Sequence, residues 1–236
     1  MKKIIILGDS FTFGQGCADR LWYWDEKLKK FIGNQYKANE GPSIHAWSNH
    51  LQKDYPNYKV INLAMPGTDN TTISQTAQRK IDADTALVIL NSAPENRIQI
   101  KHYNWHMPTS WNLSAIDDEL KAYADAQNMF VKHLYHPSVT KQLTVNAILS
   151  IIATCQYHNV KFIFGASEVT DLIKFSNIMK NMHEHNGILH IAELIYPSFA
   201  GVKPINEFFA PEGHVNEIGH EFYYNNVIRP RVNGYL

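Results

Sequence analysis

The chain opens on an unbroken apolar run, Ile4-Ile5-Ile6-Leu7, which stops at Gly8-Asp9-Ser10. A run this short and rich in β-branched residues reads as a strand buried on both faces, not as a helix. Further strands are read at 58–63, where Lys59 and Asn62 interrupt the apolar residues, at 85–90 and 160–165, and a shorter one at 188–192. Between them apolar positions return at helical spacing. One helix starts at Pro42-Ser43, with Ser43 as N-cap and Ile44, Trp47 and Leu51 on one face. Others are expected over 69–81, over 115–135 behind Ser114, over 139–158 behind Pro137-Ser138, and over 169–182. The last covers 216–227 and ends before Arg229-Pro230. Strands alternating with helices predict an α/β protein: a doubly wound, mostly parallel, five-stranded sheet in one domain spanning 1–236.

Two stretches interrupt this rhythm. Residues 25–41 are polar and lysine-rich and read as an exposed excursion behind the aromatic stretch Asp19–Trp24. An insertion around 95–115 is aromatic and histidine-bearing, with His102, Tyr103, Trp105, His106, Met107 and Trp111. A loop over a substrate site and a packed surface excursion both fit it.

Charge and cysteine content narrow the function. Lys plus Arg and Asp plus Glu are both 22, giving a net charge of zero. A protein that binds nucleic acid through its phosphates needs a basic surface, so that class is excluded. Cys17 and Cys155 match no disulfide framework and no metal-ligand spacing. The His102/His106 pair lacks an acidic or third partner, and His183/His185 reads as facing water at a helix end, so no metal is expected. Lys2-Lys3 and four apolar residues fall short of the roughly 7–15 apolar residues of a secretory signal. No segment reaches the roughly 18 apolar residues of a membrane span, so a cytoplasmic protein is expected.

The chemistry sits at the two ends. Glycine permits a sharp reversal after the first strand, and a serine there reaches the carboxyl edge of the sheet, where open α/β folds build their sites. A plain β-turn explains Gly8-Asp9-Ser10 equally well. The other end reads Ala210-Pro211-Glu212-Gly213-His214-Val215-Asn216-Glu217-Ile218-Gly219-His220. An amino-terminal Gly-Asp-Ser paired with this acidic-Gly-His-x-Asn-x-x-Gly-His segment resembles the GDSL, or SGNH, hydrolase family. The resemblance implies a flavodoxin-like α/β/α sandwich and a serine esterase without metal or cofactor. It assigns Ser10 as nucleophile, His214 as base and Glu212 as the acid beside it. The family more often carries an aspartate three residues before the histidine, where this chain has Pro211. Asp9 is expected to brace the turn and His220 to be structural.

The resemblance also calls for an oxyanion hole. Backbone N–H groups of Ser10 and Gly67 would supply two donors, although Pro66-Gly67 followed by Asp69 also reads as a turn into a helix cap. The family's third block, Gly-x-Asn-Asp, is absent. Asn91-Ser92-Ala93-Pro94-Glu95-Asn96-Arg97 stands in its place, and a gapless alignment puts Ala93 at the asparagine. Asn91 and Asn96 are the candidate replacements.

The function expected from the resemblance is hydrolysis of acyl or acetyl esters of a lipid or an acylated carbohydrate. The alternative is a catalytically weak or inactive carbohydrate-binding or phage structural protein on the same scaffold. The altered third block and the aromatic insertion resemble GDSL-like proteins of marine bacteriophages, which would put the protein in the virion or host cell. A nucleotide or flavin binder is disfavoured, because the loop after the first strand lacks a phosphate cradle. The sequence carries no signal of oligomeric state.

Overall fold

The computed structural model describes residues 1–25, 27–33, 40–94, 97–100, 103–106, 118–165, 206–211 and 213–236. Its strands are β1 (Lys3–Leu7), β2 (Trp22–Asp25), β3 (Lys30–Gly33), β4 (Lys59–Asn62), β5 (Thr85–Asn91), β6 (Arg97–Ile100), β7 (Tyr103–His106) and β8 (Lys161–Gly165). Its helices are α1 (Ser10–Phe13), α2 (Trp47–Asp54), α3 (Asn70–Lys80), α4 (Asp118–His133), α5 (Pro137–Tyr157), α6 (Glu217–Tyr223) and α7 (Arg229–Asn233).

The main sheet has the order β4-β1-β5-β8, and every pairing in it is parallel. Strands apolar on both faces can bury both, and the crossover helices that parallel pairing requires cover those faces. Ile4, Ile5, Ile6 and Leu7 are each at most 1% exposed, as are Leu87, Val88, Ile89 and Leu90. Helix α3 packs against α5, while α2 packs against α6 and the turn that follows it. Trp47 of α2 is fully buried and meets Tyr223 of α6 edge-on, with ring centroids 6.2 Å apart. This order and parallel sense give the doubly wound sandwich that the sequence predicts. The described sheet has four strands, not five, because the expected fifth at 188–192 lies outside the described residues, as do the helix over 169–182 and the His183/His185 pair.

Several boundaries differ, each for a physical reason. Ser43 does not cap α2, which starts at Trp47 behind Ala46 with no side-chain cap. The Ser43 hydroxyl instead donates to Asp19 at 2.5 Å, and its backbone N–H reaches Phe13. Ile44, expected on the helix's apolar face, is 68% exposed. The last helix does not end before Arg229-Pro230. It widens into a π turn over Tyr224–Ile228, closed by the Arg229 N–H on the Tyr224 carbonyl, and resumes as α7 with Pro230 near its start. Within 25–41 the chain forms part of an antiparallel ribbon, β2 with β3. The insertion around 95–115 contains a second ribbon, β6 with β7, that pairs Arg97 with His106. Residues 107–117 lie outside the described residues, and no described helix is long and apolar enough to cross a membrane.

Candidate active site

Ser10 occupies the first position of α1, directly after β1 and Gly8. Asp9 is the N-cap: its Oδ1 accepts the Phe11 N–H at 3.1 Å, the usual way an aspartate satisfies a helix's first orphan donors. Gly14 closes α1 in the left-handed region, φ 86°, so the serine sits on a single tight turn fixed at both ends. Ser10 is more enclosed than an open sheet edge suggests. It is 2% exposed, and its Oγ lies 3.0 Å from Nε2 of His214, 204 residues along the chain.

The segment that delivers His214 explains its own residue pattern. Phe209 and Val215 form an antiparallel bridge, and the Ala210 N–H closes on the His214 carbonyl at 2.8 Å. Gly213 sits at φ 89°, a conformation that costs glycine little and other residues more. Asn216 caps α6 by accepting the Gly219 N–H at 3.0 Å, and its amide donates to the Glu207 carbonyl at 2.7 Å. His220 is fully buried and accepts the Trp47 N–H at Nδ1, which ties α6 to the start of α2. The imidazole of His214 packs against the Phe11 ring, with centroids 5.1 Å apart.

Close approach of this segment to the serine depends on Gly16. A Cβ there would sit 2.5 Å from the Val215 carbonyl oxygen and 2.8 Å from that of His214. Both obstacles are backbone and cannot swing aside. Gly16→Ala is therefore expected to push His214 off Ser10 and lower any turnover that depends on their contact by about 10²-fold, the order expected for a misplacement of about 1 Å. Paired kcat and melting measurements check this, the fold being largely retained.

Loops after the neighbouring strands converge on the same edge. Gly67 lies in the turn after β4 at φ 72°, and this loop is tied to the serine turn by the Met65 N–H donating to the Gly8 carbonyl at 3.1 Å. The loop after β5 is locked by Asn70, whose amide accepts the Ala93 N–H and donates to the Ala93 carbonyl, both at 2.9 Å. Ala93 is 1% exposed. Asn70→Ala would leave both Ala93 groups without this partner, and a loss of about 1–3 kcal/mol is expected for a buried donor so stranded. Urea unfolding of the variant measures it. Asn91 directs its amide elsewhere: Nδ2 donates to Thr12 Oγ1 at 3.0 Å, and Oδ1 accepts the Tyr223 hydroxyl at 3.3 Å. It joins α1 to α6. Asn96 and Glu212 lie outside the described residues.

Arg97, at the start of β6, was not among the residues expected here. Its Nη1 donates to Asp9 Oδ2 at 3.0 Å and reaches the Thr68 carbonyl at 3.4 Å, with the two charged side chains 8% and 5% exposed. Burial pushes the Asp9 carboxyl up, and Arg97 and the Phe11 N–H pull against it. Burial, seconded by the Arg97 charge, holds the His214 imidazole down at about 4, and burial holds His220 at about 3. Both rings thus stay neutral well below the usual histidine range. Both also bind a proton more readily unfolded than folded, so the stability they confer is complete above about 6.5 and lost as pH falls toward about 4 for His214 and about 3 for His220. Denaturant unfolding across that window is expected to show stability falling with acidity.

Other chemistries find less support. Burial pushes both Cys17 and Cys155 up to about 12, so neither is a thiolate at neutral pH. Among the described residues no group of three or more His, Cys, Asp or Glu side chains could hold a metal ion.

No protein-family model matches the chain, and no curated protein matches it by sequence. Solved structures do match. The crystal structure of TesA superposes with a TM-score of 0.55 at 14% identity, each chain covered in full. A family two carbohydrate esterase from Clostridium thermocellum, in complex with cellohexaose, gives 0.53 at 12% identity, covering all of this chain and 65% of that one. Psychrotrophic esterase EstA from Pseudoalteromonas, inhibited by monoethylphosphonate, gives 0.50 at 11% identity, covering 99% and 100%. At such identities the likeness establishes the fold.

Proposed function

We propose that this chain, whose fold is that of the GDSL or SGNH hydrolases, is a serine esterase acting on acyl or acetyl esters. The observation that carries the proposal is the 3.0 Å contact between Ser10 Oγ and Nε2 of a neutral His214. A hydroxyl becomes a competent nucleophile when a base within hydrogen-bond reach takes its proton. In the proposed reaction Ser10 Oγ bonds to the ester carbonyl carbon as its proton passes to His214 Nε2. The oxyanion is met by the N–H groups of Ser10 and Gly67. Collapse breaks the bond to the alcohol oxygen, which takes the proton back from His214. Water then attacks the acyl-serine with His214 again as base, releasing the acid and restoring the hydroxyl. Glu212, two residues upstream, is the proposed acceptor for the far side of the imidazolium.

Acylated carbohydrates and small lipid esters are the proposed substrates. A carbohydrate esterase in complex with cellohexaose and the esterase EstA share the fold, which supports an ester substrate in general. Hydrolysis of p-nitrophenyl acetate and butyrate tests the proposal, with acetylated oligosaccharides as the second panel. Release of alcohol that depends on Ser10 is the expected result; none from either panel by the folded protein contradicts it.

Ala93 supports a second reading, a carbohydrate-binding protein that keeps the scaffold without turnover. Ala93 offers no side-chain donor where the family carries asparagine, and its own backbone groups are taken by Asn70. Losing one oxyanion donor costs about 10²–10³ in turnover, which slows an esterase without abolishing it. The first reading therefore stands ahead.

A further inference from the structure

We propose that Arg97, delivered by the β6–β7 ribbon, is a positioning residue that clamps the serine turn to the loop holding Gly67. The proposal rests on the esterase reading for its kinetic consequences. Its geometric basis is independent of that reading. One guanidinium nitrogen meets Asp9 at 3.0 Å and the Thr68 carbonyl at 3.4 Å. Asp9 caps the turn that starts with Ser10, and Thr68 directly follows Gly67. The Arg97 N–H also closes on the Pro94 carbonyl at 3.2 Å, in the loop that lacks the expected asparagine. The Arg97 side chain therefore joins the segments after β1 and β4, while its own backbone is held in the segment after β5.

An arginine suits this task. Its planar fork keeps its charge and can serve two acceptors at once, and burial strengthens both contacts. The charge has a second effect. Burial is the larger cause of the neutral His214 ring, and the Arg97 cation adds to it by disfavouring the imidazolium. A structural ion pair placed elsewhere on the surface would do neither.

The test separates positioning from mere support of the fold. Arg97→Met strands the buried Asp9 carboxylate and is expected to lose stability. Asp9→Asn combined with Arg97→Met removes both charges while keeping a side chain able to cap α1, so its stability should return. If Arg97 positions the site, the double variant still shows kcat lowered by about 10²-fold with KM within a few-fold of wild type. Arg97→Lys should recover at least about tenfold of that loss, since a lysine keeps one charged contact. NMR titration of the His214 ring should move its midpoint upward whenever the cation is removed.

A folded double variant with wild-type kcat and an unmoved His214 midpoint overturns the proposal. If wild type hydrolyses no ester, the esterase reading falls by itself, and the His214 midpoint still decides whether Arg97 acts on that ring.

Discussion

Ser10→Ala is expected to lower hydrolysis of p-nitrophenyl acetate by about 10⁴-fold or more, the order seen when a serine hydrolase loses its nucleophile. What remains would reflect binding and the backbone donors, since the N–H groups of residues 10 and 67 survive the change. The fold should survive as well. The hydroxyl is buried, but it makes one side-chain contact, to His214, and alanine is a good residue for the first turn of a helix. A melting temperature within a few degrees of wild type is the required companion result. Activity within about tenfold of wild type would remove Ser10 from the mechanism.

His214→Ala is expected to cost a similar factor, with a distinctive pH signature in the wild type. Because burial and Arg97 hold the ring at about 4, kcat/KM should stay near its plateau as pH falls through 6.5 and decline only close to 4. An acid limb centred on the ordinary histidine value would mean that the ring is less buried, or less influenced by Arg97, than its geometry indicates. His220→Ala gives the internal control. That ring is fully buried and accepts the Trp47 N–H from α2. Its loss should appear in stability, through a cavity and a stranded donor, with more activity retained than in His214→Ala. The reverse ranking of the two variants would reassign the base.

What the sequence made legible follows from how locally each feature is encoded. The β1, β5 and β8 strands are built on apolar runs whose burial leaves few other arrangements, and β4 is a partly exposed edge strand paired with β1. Ser10 and His214 lie in short segments where glycine, cap and catalytic candidate stand within a few residues of one another. Gly213, Asn216 and Gly219 each have a local structural task there. Ser43 misled because Asp19, 24 residues earlier, competes for its hydroxyl, and no local rule reports such a partner. Asn91 is a candidate oxyanion donor in the sequence, which carries no sign that Thr12 and Tyr223, from two other elements, engage its amide. Arg97 was invisible for the same reason. Its meaning comes from Asp9, 88 residues away, and a single arginine ahead of an aromatic stretch carries no spacing that announces it. The ribbons escaped because short, polar-interrupted strands lack the apolar run that marked the sheet.

The most direct test of Ser10 as a nucleophile activated by His214 is covalent labelling, which does not depend on guessing the substrate. An alkyl fluorophosphonate adds phosphorus to the serine oxygen as fluoride leaves and the base takes the proton. Intact-mass and peptide mapping of the labelled protein should place one phosphonyl group on Ser10, with none in Ser10→Ala and much slower labelling in His214→Ala. A folded wild type that leaves Ser10 unlabelled, or that labels equally fast without His214, would contradict the account at its centre.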